Sequence, residues 1–382
     1  MKIQLIPVQQ IIMSIVLTGT FFVGSHTAQA ASLFCKQTLT ASEPATFRKA
    51  SGDLFMAYRS NAPHYWKWVT QVSHPAFLVK GTVVGDAHIL NFRDTPLENT
   101  KRAFTLVDMD DAGYGSLLGD FLRYYVGNQI SPFKAPSKEL WKAYVDGLNK
   151  VEMEKPDLIQ KLENTDYGAT KQKQFIEKLA SEKQFSDKAG LTDLSKAPES
   201  VAKLFNTADP HFRKELAGKE ILDTGFKIPE EGGSQGLVRF WYLVREGKTQ
   251  RIYEFKQETE TATSQYGPQP DRAVAFHNIV ELYRPSNTSD KPKMVKVGIE
   301  YFLMRERVKS ELNIDVEKPT DKEIKHIKEI SLYIANMMGR AQAEQREAAH
   351  ALISEIQKDP QTYAVFLEQA DRYISEISKL NK

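Results

Sequence analysis

Apolar and polar positions change rhythm several times along this chain, and each change marks a region. The start is apolar almost throughout, densest over 11–24. A helical spacing of Phe47, Leu54, Phe55 and Tyr58 then predicts helix over 31–70, interrupted at Ser51-Gly52. Two short apolar runs, 77–84 and 103–107, read as strands, and each ends in acidic residues. The segment 120–130, with Phe121, Leu122, Tyr124, Tyr125 and Val126, predicts a buried helix. Residues 135–225 alternate Lys and Glu in the manner of solvated helix faces and read as largely helical, with amphipathic stretches at 137–153, 171–183 and 200–216. At 229–236, Pro-Glu-Glu-Gly-Gly-Ser-Gln-Gly, the composition switches to a Gly-rich turn. Two aromatic and β-branched runs follow, 237–244 and 251–256, joined by Glu246-Gly247-Lys248, and they predict a hairpin. A helix over 271–283 and strands around 294–304 complete a small α+β unit. Residues 320–380 read as helix throughout, with Pro360 separating two helices.

The 382 residues suffice for one large or two modest domains. The apolar start after Met1-Lys2 leads to Ala28-Gln29-Ala30, a small-x-small cleavage site, so 1–30 reads as a secretory signal peptide and the protein as exported, periplasmic or secreted. A retained N-terminal anchor is the alternative. Cys35 is the only cysteine, which excludes an intramolecular disulfide, and Phe34 before it spoils a lipoprotein box. Charge is nearly balanced, 51 basic against 49 acidic residues, and no basic stripe with interleaved aromatics points to nucleic acid. After signal cleavage no apolar run is long enough to span a bilayer.

Chemistry concentrates where the two apolar runs end. Gly85-Asp86-Ala87-His88-Ile89-Leu90-Asn91 puts an Asp and an Asn five residues apart on one loop, and Asp108-Met109-Asp110-Asp111 ends the next strand. Phosphoryl transfer needs this set: one carboxylate to orient a hydroxyl, and an amide with a second carboxylate to hold Mg²⁺. Asp86 takes the first role, with His88 beside it to order the loop. Asn91 and Asp108 take the second, with Asp110 assisting at the edge.

The stretch Gly85 to Asn91 resembles the catalytic loop of aminoglycoside phosphotransferases and choline kinases, and the segment from Asp108 to Asp120 resembles their metal-binding segment, with an Asp twelve residues after the first. The closer resemblance is to the bacterial domain-of-unknown-function 2252 family, which carries Gly-Asp-Ala-His-x-x-Asn-Phe and, further on, a segment matched here by Asp120-Phe121-Leu122-Arg123-Tyr124. The chain departs from the phosphotransferases at Val84, where they have His, and from the closer family at Gly119, where it has Trp. It has Gly339-Arg340-Ala341-Gln342-Ala343 where that family favours Ala-Arg-Ala-His, which bears on whether its activity is kept. The resemblance implies a kinase-like, two-lobed α+β fold and gives Asp120 a buried supporting role, tying its helix to the catalytic loop.

A kinase-like site also needs a Gly-rich lid that approaches phosphates through backbone N–H groups, and a strand Lys to neutralise them. Gly233 and Gly236 fit the lid, Lys256 the strand Lys, and Glu281 is its expected helical partner. Lys80 lies only six residues before Asp86, too near to belong to a separate lobe. Lid and Lys therefore follow the catalytic loop where ordinary kinases place them before it, which implies a circular permutation. The expected domains are a catalytic-loop lobe with a helical insertion over 31–227, a small β-rich nucleotide-binding lobe over 228–306, and C-terminal helices over 307–382. The expected ligands are Mg²⁺, ATP or another nucleotide, and a small-molecule or sugar-like hydroxyl. Three other readings stay open. Asp108 and Asp110 also fit an aspartate-based phosphatase of the haloacid-dehalogenase kind. The Gly-Asp-x-His run is also found in two-metal phosphoesterases. The fold could also serve as a non-catalytic binding module, because ATP is scarce outside the cytoplasm.

Overall fold

The structure, a computed structural model, describes residues 47, 53–166, 168–229, 236–312 and 320–382. The leader and its cleavage site, Cys35, Ser51-Gly52 and Gly233 lie outside these residues. Within them the expected N-terminal helix is two: α1 (Leu54–Arg59), opened by the Asp53 carboxylate, which accepts from the N–H groups of Phe55 and Met56, and α2 (Ala62–Val69).

The apolar run 77–84 is not a single strand. His74 and Pro75 start one helical turn, α3 (Pro75–Leu78), so only β1 (Lys80–Val83) is extended. The run 103–107 lies almost wholly within β3 (Arg102–Leu106), which pairs with β2 (Phe92–Pro96), while β1 pairs with β4 (Gly113–Ser116). Both partners escape the pattern: Phe-Arg-Asp-Thr-Pro and Gly-Tyr-Gly-Ser have no alternation of apolar residues.

Ser116 accepts from the N–H of Gly119 and caps α4 (Leu117–Ile130), which is buried on all sides from Leu117 to Asn128. Around it pack α5 (Ser137–Leu148), α10 (Asp321–Ala343) and α12 (Thr362–Leu380). The Phe121 ring stacks on Tyr144 at 3.9 Å and on Phe366 at 5.4 Å. Helices α5 and α10 approach through glycines: a Cβ on Gly147 would sit 2.2 Å from the Asn336 carbonyl oxygen, and one on Gly339 2.2 Å from that of Tyr144. The C-terminal region holds three helices, not two. A further break at Glu344-Gln345 separates α10 from α11 (Arg346–Lys358), because the Gln345 amide pairs with both the N–H and the C=O of Thr82 on β1.

Residues 135–225 supply α6 (Asp157–Asn164), α7 (Gly168–Leu179) and α8 (Glu199–Glu215), but also β5 (Thr192–Asp193) and most of β6 (Glu220–Lys227). These strands join β7 (Arg239–Glu246), β8 (Thr249–Glu258), β9 (Lys293–Val297) and β10 (Glu300–Glu306) in a six-stranded antiparallel sheet of order β5-β6-β7-β8-β10-β9. Helix α9 (Arg272–Tyr283) lies between β8 and β9 in the chain. Side chains alternate across the sheet. Phe240, Tyr242, Val244, Phe255 and Phe302 pack under α8, with Phe212 stacked on Phe255 at 4.0 Å, and each such buried ring stabilises the layer by about 1.5–3 kcal/mol. The opposite face presents Lys227, Arg239, Trp241, Glu254, Lys256 and Arg305. The fold is mixed α+β, and no helix among the described residues is long and apolar enough to cross a membrane.

Candidate functional site

Gly85 sets the geometry. Its φ of +83° is left-handed, and a Cβ there would lie 1.9 Å from the Asp111 carbonyl oxygen, so only glycine lets the two acidic loops touch. The Val84 and Gly85 N–H groups donate to the two oxygens of Asp120 at 2.9 and 3.0 Å, and the Trp66 indole donates to the Gly85 carbonyl at 2.6 Å. Burial pushes the Asp120 carboxyl up to about 7 even though both N–H bonds favour its charge. At the two positions where the resembled families differ, Val84 is buried with its N–H on Asp120, and Gly119 has no room for a side chain, a Cβ meeting Ser116 at 2.9 Å and Val69 at 3.1 Å.

Arg123, one turn along α4 from Asp120, is fully buried and holds Asp86. Its Nε and Nη2 donate to Asp86 Oδ1 at 2.9 and 2.5 Å. Burial works against the Asp86 charge, but Arg123 and then His88 outweigh it and keep the carboxyl well below its ordinary range. His88 Nε2 lies 3.6 Å from Asp86 Oδ2 and accepts from Arg59 Nε at 3.4 Å. Burial lowers the His88 pKa although Asp86 works the other way, and its Nδ1 has no partner among the described residues. Asn91 ends a 3₁₀ turn, and its Nδ2 donates to the Asp86 carbonyl at 2.8 Å. That bond directs its amide oxygen the other way, and no described donor bonds it.

Asp108, Asp110 and Asp111 follow β3. Asp108 Oδ1 is buried and has no hydrogen-bond partner among the described residues, with Arg305 Nη1 3.8 Å away, and burial followed by Asp110 raises its pKa. Asp110 pairs with Lys256, which arrives from 146 residues away on β8. Burial works against both charges. Lys256 nevertheless brings the Asp110 carboxyl down to about 2, and Asp110 and Glu258 hold the Lys256 ammonium above its ordinary value. Asp111 accepts from the Ala262 N–H at 2.8 Å, and burial, Asp110 and Asp86 push it up to about 7. Glu258 lies 3.2 Å from Lys256, and burial pushes it up to about 8. Arg272 on α9 closes this corner with a 2.8 Å bond to the Asp110 carbonyl.

Asp86, His88, Asn91, Asp108, Asp110 and Lys256 thus form one electrostatic neighbourhood, with Asp120 behind it. Glu281 does not take part: it is exposed and pairs with His277 at 3.2 Å, one turn away on α9, while Glu258, two residues from Lys256 on the same strand face, is the carboxylate beside the Lys. Gly236 has a φ of +81° and open space around it, and its N–H donates to the Pro229 carbonyl. Gln342, at the position where the resembled family favours His, bonds Tyr144 and the Leu117 carbonyl as a buried tie.

Sequence reading missed Arg59, Arg123, Asp111, Glu258, Arg272 and Arg305. Arg123 had a signal, a cation one helical turn after Asp120, as did Glu258, at the period of 2 from Lys256. Arg59, Arg272 and Arg305 had none, because an isolated Arg on a helix or strand looks like any solvated one. A magnesium ion fits the donor set: the orphaned Asp108 oxygen and the free Asn91 amide oxygen are hard ligands. Among the described residues no three His, Cys, Asp or Glu side chains group as a metal site. No family model, no curated protein and no solved structure matches the chain.

Proposed function

We propose that this chain is an exported, kinase-like protein of circularly permuted, two-lobed architecture, whose site binds a phosphoanhydride with Mg²⁺ and passes a phosphoryl group to a small-molecule or sugar-like hydroxyl. One observation carries the reading: Lys256, on a strand that follows a Gly-rich connection, meets the Asp108–Asp111 loop at Asp110. A strand, a Gly-rich connection, a second strand, a Lys strand, a helix and two more strands is the order of parts in a kinase phosphate-binding lobe.

Asn91 and Asp108 hold the metal, which when bound neutralises charge on the phosphate oxygens. Lys256 and the N–H groups near Gly236 cradle the phosphates. Asp86 Oδ2, free of Arg123, accepts from the acceptor hydroxyl and orients its oxygen. The acceptor oxygen forms a bond to the terminal phosphorus as the bond from that phosphorus to the bridging oxygen breaks, the shortened phosphate leaves with the bridging oxygen, and the hydroxyl proton passes by way of Asp86 to solvent. With its pKa held so low, Asp86 contributes by positioning more than by retaining a proton.

A second reading, a kinase-like binding module without turnover, is favoured by that same clamp of Arg123 on Asp86. The phosphatase reading is the weaker, since it needs Asp110 as a general acid and Lys256 keeps that carboxyl ionised. Isothermal titration with ATP and with tripolyphosphate, with and without Mg²⁺, tests the site. Asp108→Ala abolishes the Mg²⁺-dependent affinity, and Asp86→Ala preserves it while lowering any transfer about 10²- to 10⁴-fold. Unaltered binding in both variants, with no phosphate moved, leaves neither the metal site nor the enzyme standing.

A further inference from the structure

Beside the start of β3, at the end remote from Asp108, an open cleft of about 670 Å³ falls within the roughly 300–1,000 Å³ of small-molecule sites. None of its lining residues belongs to the two acidic loops or to β8. Helix α10 builds one wall. Gly339 faces α5, while Tyr333, Met337, Arg340 and Glu344, spaced by three or four residues, share the face turned to the cleft. Asn336 fixes the connection that carries Lys150, Glu152 and Lys155: its Nδ2 donates to the Val151 carbonyl at 2.9 Å and its Oδ1 accepts from the Met153 N–H at 3.2 Å. Glu163 covers the edge of β3 that β2 leaves unpaired, accepting from the Phe104 N–H at 3.2 Å. The charges here cancel in pairs. Lys155 meets Glu163 at 2.6 Å, Arg340 meets Glu152 at 2.5 Å, Lys150 meets Glu344 at 2.9 Å, and Lys101 is exposed in the turn between β2 and β3. Among them stands Tyr333, 3% exposed, whose hydroxyl bonds no described residue. Burial raises its pKa, and Lys155, Arg340, Glu163 and Glu152 all act on it, which sets the phenol oxygen among the charged groups of the cleft. Arg340 Nε is a second buried donor without a partner among the described residues. Phe104, Leu282 and Met337 supply an apolar lining beside these polar groups.

We infer that this cleft is a second binding site, separate from the phosphate site, for an uncharged polyhydroxylated small molecule of the sugar or polyol class. An apolar ligand would strip water from Tyr333 and the ion pairs and return no hydrogen bonds. An ionic ligand would meet charges that already compensate one another, and would gain one contact by breaking another. A hydroxyl both donates and accepts, so it bonds either member of a pair without separating the two. One ligand hydroxyl accepts from Lys155 or Arg340 Nε, another bonds the Tyr333 hydroxyl, and the C–H face of the ring covers Phe104 and Met337. The site stands or falls apart from the phosphoryl-transfer reading.

Titration of the full chain with glucose, maltose, myo-inositol and glucuronate, in the absence of Mg²⁺ and phosphate, tests this. At least one of the uncharged probes binds saturably, and glucuronate binds more weakly than glucose. Tyr333→Phe keeps the ring and weakens that binding about tenfold, the worth of one hydrogen bond. It leaves the thermal midpoint of the free protein unchanged, because the hydroxyl it deletes bonds no described residue. Lys155→Met weakens the same binding by about as much, and both variants bind Mg²⁺ and phosphates as wild type does. Binding of none of the uncharged probes leaves the cleft to water and overturns the inference. Binding undiminished in both variants places the sugar elsewhere and overturns it too. Glucuronate that binds more tightly than glucose, and loses affinity with Tyr333→Phe, overturns the uncharged ligand.

Discussion

Asp120 offers two oxygens and both are taken by main-chain amides, so the turn that carries Asp86 is fixed by a residue that does not itself reach the cleft. Its burial has a consequence in pH. An unfolded aspartate titrates at about 3.9, whereas folded Asp120 keeps its proton up to about 7. Between these values the folded state binds the extra proton, so this contribution is complete below the lower value, falls as pH rises through the window, and levels off above the upper one. Asp120→Asn removes the titration. In urea denaturation the advantage of wild type over the variant is larger at about pH 5 than at about pH 8, by on the order of 3 kcal/mol. A gap that stays flat with pH would mean the carboxyl is ionised throughout. Asp111 and Glu258, also raised, shift both proteins alike and cancel in the comparison.

Strand β8 and the loop after β3 meet through one buried contact, Lys256 on Asp110, reinforced by Arg272 on the Asp110 carbonyl. Lys256→Met removes the cation and leaves Asp110 in a buried place with its charge unpaired, which costs about 3–5 kcal/mol. Adding Asp110→Asn removes the orphaned charge as well, so the double variant is less destabilised than the two singles together, with a coupling of about 1–3 kcal/mol. Additive effects would show that the two elements dock without this pair. The same scale explains which elements were legible. Runs with strong period, such as β7, β8, α9 and α10, stand out because half their residues face a core. β2, β4 and β6 do not, because each borrows its burial from a neighbour. The break at Gln345 is invisible for the same reason: what ends the helix is a side chain bonding to a strand more than two hundred residues earlier.

For the whole molecule, the proposed export implies that residues 1–30 are removed. Mass spectrometry of the native protein finds Ala31 as its first residue, and recovery of intact Met1 from a cytoplasmic fraction would overturn export and restore ready access to ATP. The separation in sequence of the site's two halves, Asp86 to Asp111 and Lys256 to Arg307, is closed only in three dimensions.

What the sequence determined by itself was local. Asp86, Asn91 and Asp108 follow short apolar runs at a fixed spacing, and Lys256 ends an aromatic run, all within the reach of neighbouring residues. What only the tertiary structure decided was partnership. Glu258 and not Glu281 stands beside Lys256, Arg123 clamps Asp86, and three guanidiniums crowd round Glu254. The cause is physical: a charge has nearly the same free energy on any solvated surface, and its role is set by which opposite charge shares its burial, a quantity fixed by packing between elements and not by the order of residues.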